Sequence, residues 1–255
     1  MITLVYVLIP ILALFVGGAL YRLAYALPRR SFGELLSPTC HACGDPLPTL
    51  YLIPLVGTFL NKMRCPVCGE KRGVGCFLSE VTFAVAALLL ELFVGLSFLF
   101  LIYLVTAALL LILSLVDLDV KEVPHGILFG ILLLGVLLFV LSFFPSVRLT
   151  AAVWWEYLVG AFIVSLPLFI VMMVTGGGIG GGDIKLMFCL GLLLGYKLVL
   201  VAFLFGIAIA ALVSVILLLA FGKDRKFEVP LVAFLAVGFL LAVLVGDKFI
   251  ALLFA

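Results

Sequence analysis

Long apolar runs separated by short polar breaks fill this chain from one end to the other. The runs lie at about 2–27, 77–95, 97–116, 126–144, 151–174, 184–195, 198–221 and 229–254. A helix needs about 20 apolar residues to cross the hydrocarbon of a bilayer, so the pattern predicts about eight transmembrane helices. The run at 184–195 is too short by that measure, and the glycine-rich stretch before it either dips into the membrane or leaves the helix ending partway. Irregular backbone at such depth is tolerated only inside protein or beside a water-filled cavity. Pro10 falls within the first run as an expected kink, and Pro28, Arg29 and Arg30 are expected to stop it. The break at 28–76 differs from the others in length and content. It carries Pro38, Pro46, Pro48, Pro54 and Pro66 and is the candidate extramembrane domain, too small for much of a core without a staple.

Composition narrows the class. Of 255 residues, 67% are hydrophobic and 11% charged, and the mean hydropathy is +1.50. No soluble domain has interior enough for that, so the expected fold is an all-α polytopic membrane protein with a small cytoplasmic zinc-ribbon-like loop domain. The expected parts are a first transmembrane helix at 1–27, a cytoplasmic tetracysteine domain at 28–76 and a seven-helix membrane core at 77–255. The net charge of +2 is too small to suggest nucleic acid. The first run lacks a basic n-region and an A-x-A-like cleavage site, which reads as a retained span.

The placement of Lys and Arg orients the chain. One set of loops holds Arg29, Arg30, Lys62, Arg64, Lys71, Arg72, Lys121, Lys185, Lys223, Arg225 and Lys226, and the other holds Arg148, Lys197 and Lys248. Eleven against three makes the first set cytoplasmic. Both termini then lie outside, and the cysteine-rich loop, the 117–125 loop and the glycine run share the cytoplasmic side. Lys223, Arg225 and Lys226 read as topology charges near anionic lipid. Glu91 and Glu156 read as interfacial acids near the outer face, Glu156 beside Trp154 and Trp155, an aromatic-belt pair.

Three sets of residues carry candidate chemistry. The first is Asp117 with Asp183. Asp117 closes the third run, and Asp183 opens the sixth after seven residues of which six are glycine. Two carboxylates at one depth on adjacent spans share a proton, because like charges in a poor dielectric do not both ionise. The ionised member takes a proton from water while the protonated member polarises a carbonyl, without a metal. The plain alternative is a pair of interfacial acids, capping helices or solvated, but an acid at the mouth of an apolar segment is by default functional. Glycines beside it supply either φ > 0 or room for another chain to come close.

The second set is Cys40, Cys43, Cys65 and Cys68. Two C-x-x-C pairs on a basic loop suit tetrahedral Zn²⁺ in a reducing compartment better than disulfides, unligated thiols being the alternative. A structural zinc would let so small a segment fold. Cys76 and Cys189 read as small buried apolar residues. The third is Glu80, an acid at the head of the second span, where the helix dipole alone would favour it.

Gly178-Ile179-Gly180-Gly181-Gly182-Asp183-Ile184-Lys185-Leu186 resembles the G-x-G-x-G-D-x-K-L signature of the type IV prepilin peptidases, which are GxGD membrane aspartic proteases. Asp117-Leu118-Asp119 is similar to that family's D-x-D at the end of a span, and the order of cysteine-rich loop, D-x-D and GxGD is also the family's. The resemblance implies that Asp117 and Asp183 are the catalytic pair and Asp119 a neighbour. It also implies that Gly178, Gly180, Gly181, Gly182 and Lys185 form the loop where substrate approaches. Pro124-His125 stands where the family usually has Pro-Asp, and Val229-Pro230-Leu231 where it usually has I-P-F-G-P.

As an activity, the resemblance implies an inner-membrane endopeptidase. It would cut the basic leader of type IV prepilins or pseudopilins on the cytoplasmic side. Family members with the tetracysteine motif also methylate the new N-terminus with S-adenosylmethionine, and a glutamate like Glu80 has been linked to that part. Met63 stands where such members often have glycine. A proton-coupled transporter using Asp117 and Asp183 as a relay is the rival reading. It is disfavoured because no chain of acids leads to the other face and because it leaves the tetracysteine loop without a purpose.

Overall fold

A computed structural model describes residues 2–29, 43, 45, 67–69, 75–121, 123–144, 153–176, 180–221 and 230–253. Among the described residues the regular structure is entirely helical. Among the described residues, six helical segments are long and apolar enough to cross a membrane, Trp154–Thr175 counting as one of them although it is broken at Val164, and the shorter helices His125–Leu141 and Gly181–Leu194 accompany them. Cα proximity divides the chain into two compact units, 1–95 and 96–255.

The first unit pairs α1 (Ile2–Arg29) with α2 (Gly75–Val94). Small residues let the two backbones meet. A Cβ on Gly17 would lie 2.8 Å from Glu80 Cα and from Ser79 O, and one on Gly18 would lie 2.9 Å from Glu80 Oε1. Ser79 Oγ also donates to Gly17 O at 3.3 Å. This is the small-residue contact expected where lipid removes the hydrophobic drive for helix association. α1 ends at Arg29, among the residues expected to stop it.

The second unit holds seven helices: α3 (Phe98–Val120), α4 (His125–Leu141), α5 (Trp154–Ile163), α6 (Ser165–Thr175), α7 (Gly181–Leu194), α8 (Tyr196–Phe221) and α9 (Leu231–Leu253). Its centre is α7, which packs mainly on α4 and α5, while α9 packs on α8 and α3. Leu186, Met187, Leu190 and Leu193 of α7 are wholly buried. At 14 residues α7 reaches about 21 Å, short of the roughly 30 Å of hydrocarbon. It therefore has no need of a lipid-facing surface along its whole length. Gly160 of α5 and Gly191 of α7 face each other so closely that a Cβ on either would collide with the other's backbone.

Two boundaries differ from expectation. The third run does not end at 116. Its helix continues to Val120 and stops at Lys121, which takes φ 54° and sends its N–H to Asp117 O at 3.1 Å. Asp117 and Asp119 therefore belong to the last turn of α3, not to a loop. The run at 151–174 is two helices, α5 and α6, meeting at Val164 (φ −101°, ψ −44°). Pro167 explains the break, since it has no N–H for the Ile163 carbonyl and its ring crowds that position.

One end of the second unit has an aromatic and ionic belt. Trp155 stacks on Tyr196 at 5.8 Å and Trp154 on Phe143 at 5.9 Å. Glu156, nearly buried, pairs with Lys197 at 3.4 Å. Asp117, His125 and the start of α7 lie at the opposite helix ends.

Candidate active site

Asp117 sits in the last turn of α3, where its own helix dipole opposes a negative charge. The compensating donor comes from another element. The backbone N–H of Val232, in the first turn of α9, reaches the Asp117 carboxyl. First-turn N–H groups have no partner inside their own helix, so α9 meets the acid with its positive end. Pro230 immediately precedes this helix, a residue well suited to a helix start. The other oxygen, Asp117 Oδ2, is buried with no hydrogen-bond partner among the described residues. A buried orphan acceptor of that kind calls for an explanation, such as a held water or a shared proton.

Asp183 lies in the first turn of α7, a position the helix dipole favours for an acid. Its N–H bonds to Gly180 O at 3.1 Å. It is half-buried and within Coulombic reach of Asp117. Two contacts draw the α3–α4 turn onto the start of α7. Gly182 lies against Val123, and Lys185 Nζ lies 3.2 Å from His125 Nε2. The two carboxyl groups thus come from different helices and are brought together by the turns beside them.

The glycines divide by purpose. Positive φ is used at Gly176 (65°), which ends α6, and not at Gly180, Gly181 or Gly182. A Cβ on Gly180 would stand 3.0 Å from Asp183 Oδ2, and one on Gly182 would stand 2.6 Å from Val123 Cγ2. A Cβ on Gly181 would meet nothing within 4 Å. Gly180 and Gly182 make room inside the protein, whereas Gly181 leaves open space above the helix start. Gly178 lies outside the described residues. Lys185 is two residues beyond Asp183, about 200° around the helix, and faces α4 and not the acid pair.

The remaining sequence-predicted residues fall elsewhere. Asp119 is exposed. Glu80 is buried in the first unit against Gly18, with Cys76 Sγ 3.6 Å from its Oε1. Cys76 is therefore a partner of this acid and not merely an apolar filler, while Cys189 is buried as expected, its thiol directed at Leu128 O. Cys43 and Cys68 are exposed, and Gly69, next to Cys68, is left-handed at φ 73°. Cys40 and Cys65 lie outside the described residues, and among the described residues no three potential ligands cluster.

Residues 104–216 match the type IV leader peptidase family, and residues 11–104 match the bacterial N-terminal domain of the same peptidases. A prepilin leader peptidase/N-methyltransferase of Pseudomonas putida is 31% identical, over 83% of this chain and 73% of its own length. The chain belongs to the type IV leader peptidase family. A Bacillus subtilis protein of the same name is 28% identical over 94% of both chains, and one from Legionella pneumophila is 26% identical over 83% of this chain and 73% of its own. No solved structure gives a significant match. The leader peptidase match spans both acids and the glycine run, and the N-terminal match spans the cysteines and Glu80. Val232 lies beyond both matches. Sequence reasoning misses it because its contribution is a backbone N–H. The available signal is Pro230 opening an apolar run on the same side as the acids.

Proposed function

We propose that this leader peptidase is an aspartic endopeptidase in which Asp117 and Asp183 act together on one water. The ionised carboxyl removes a proton from the water as it attacks the scissile carbonyl. The protonated carboxyl gives its proton to the carbonyl oxygen. As the C–N bond breaks, the departing amine takes a proton from one carboxyl while a hydroxyl of the gem-diol gives its proton to the other, so that a carboxylic acid product leaves and the pair again holds its single starting proton. The two share the base and acid roles and titrate as a unit. The observation that carries this reading is the buried Asp117 Oδ2, without a hydrogen-bond partner among the described residues, on a carboxyl that the Val232 N–H reaches and that lies within Coulombic reach of Asp183.

The substrates of this reading are type IV prepilins or pseudopilins, prepilins being what the relatives' names carry. The eleven-to-three Lys and Arg distribution supports an active site facing the cytoplasm of an inner membrane, with eight spans once α4 and α7 are counted. Gly181 marks where an extended substrate backbone passes over the start of α7. N-methylation of the freed amine is the second activity. S-adenosylmethionine would supply the methyl group there, and buried Glu80 is the candidate residue of the first unit for that step. Zinc held by Cys40, Cys43, Cys65 and Cys68 would order the 28–76 segment and takes no part in cleavage.

The test is cleavage of a prepilin by Asp117→Asn and Asp183→Asn proteins of unchanged thermal stability. Each is expected to lose at least about 10²–10⁴-fold in rate. Retained processing in either variant removes the pair from the mechanism.

A further inference from the structure

Beside the start of α7, on the face turned away from Asp183, the second unit has a cavity of about 780 Å³ between α4, α5, α6 and α7. That volume is in the range of small-ligand sites. Its walls are apolar, with Leu128, Phe129, Phe162, Leu166 and Phe188 prominent among them. Phe162 and Phe188 meet edge to face at 5.4 Å and hold α5 against α7. Phe129, Phe162 and Leu166 are each more than half exposed, so one side is open to the surrounding lipid.

Charge is confined to one end, since the Ser165 hydroxyl and the Cys189 thiol, which also line the cavity, turn to the backbone carbonyls of Ala161 and Leu128. The titratable groups lining the cavity there are Lys185 and His125, in the first turns of α7 and α4. Lys185 Nζ lies 3.2 Å from His125 Nε2. An ammonium has three donors, and this contact uses at most one. The cavity thus joins a cation to an apolar trough. Along α4 it runs from His125 to Leu132, a depth of about 10 Å. That depth lies within one leaflet of about 15 Å and is far short of the full 30 Å. A helix crossing the membrane would use the whole span. A lipid of one leaflet uses this much and places its headgroup where the charge is.

We propose that this groove is a site for one anionic phospholipid, its phosphate on Lys185 and one acyl chain between α4 and α6. The site is on the other face of α7 from the acid pair, and its occupancy is independent of which bond the enzyme cuts. Lipid binding holds α4, α6 and the start of α7 in register, and so steadies the helix that carries Asp183.

Native mass spectrometry of the full-length protein, equilibrated with phosphatidylglycerol or phosphatidylcholine of identical chains, tests this. One phosphatidylglycerol is expected to be retained in preference to phosphatidylcholine. Lys185→Gln is expected to weaken retention about fivefold, the effect of one interfacial cation, and Lys185→Arg to preserve it. Leu166→Trp, which fills the trough from the lipid side, is expected to abolish retention with the circular dichroism spectrum unchanged. Equal retention of the two headgroups overturns the proposal, as does retention that survives Lys185→Gln or Leu166→Trp. Stoichiometric displacement of the lipid by an apolar helical peptide also overturns it and assigns the groove to a protein segment.

Discussion

Gly182→Ala is the sharpest perturbation the site offers, because Gly181→Ala next to it supplies the control. A Cβ at 182 would stand 2.6 Å from Val123 Cγ2 and 2.9 Å from Val123 Cβ, whereas carbon atoms in contact settle at about 3.5–4.0 Å. Val123 cannot swing aside, since its branch sits directly on the backbone and χ1 is stiff. Val123 and Pro124 must therefore retreat by roughly 1 Å, and they closely follow the helix end that carries Asp117. A 1 Å misplacement costs a reaction about 10²-fold. The stability cost is smaller: overpacking costs about 1–3 kcal/mol, and replacing helical glycine by alanine returns about 0.5–1 kcal/mol. Gly182→Ala is thus expected to fold, melt within a few degrees of the parent and lose about 10²-fold in kcat/KM for leader removal, read by mass spectrometry of the substrate. Adding Val123→Ala removes the nearer clash and is expected to recover part of the rate. Gly181→Ala meets nothing in the protein, so any activity it loses reports the passage of substrate. Full activity in Gly182→Ala, or a loss that Val123→Ala leaves untouched, refutes the assignment of Gly182 as the spacer between the two turns.

The other predictions test α9 and the first unit. Val232→Pro deletes the N–H that reaches Asp117 at a helix start where proline is tolerated. A hydrogen bond to a charged group contributes about 1.5–3 kcal/mol, so kcat/KM is expected to fall roughly 10- to 150-fold. Val232→Ala keeps the N–H and is expected to keep the activity, with a lower melting temperature from lost burial. Glu80→Gln is expected to leave leader removal intact and to abolish the 14 Da gain (about one CH₂) on the new N-terminus with S-adenosylmethionine, the interaction with a charged group again setting the scale. Equal loss of both products would make Glu80 structural.

How much of this is legible in the sequence depends on whether a feature lives in side chains or in backbone. Asp117 and Asp183 are readable because an ionisable group in an apolar setting has few reasons to exist, and the apolar runs locate most of the helices to within a few residues. Hydropathy nevertheless puts Asp117 in a loop. It drops at the first charge, but hydrogen bonding carries the helix one more turn, to Val120 and the left-handed Lys121. The break at Val164 is hidden for the opposite reason, since hydropathy stays high across Pro167 and only the missing N–H interrupts the helix. In the glycine run, composition announces close approach but not what approaches. Gly182 accommodates the protein's own Val123, Gly180 leaves room for the Asp183 carboxylate, and Gly181 alone of the three opens outward. The same division explains why Lys185, so near the acid in sequence, serves a different face: an α-helix turns about 100° per residue, so two steps along the motif carry the chain from the carboxyl pair to the lipid groove. A nine-residue signature that looks like one site is, on the helix, the meeting point of two.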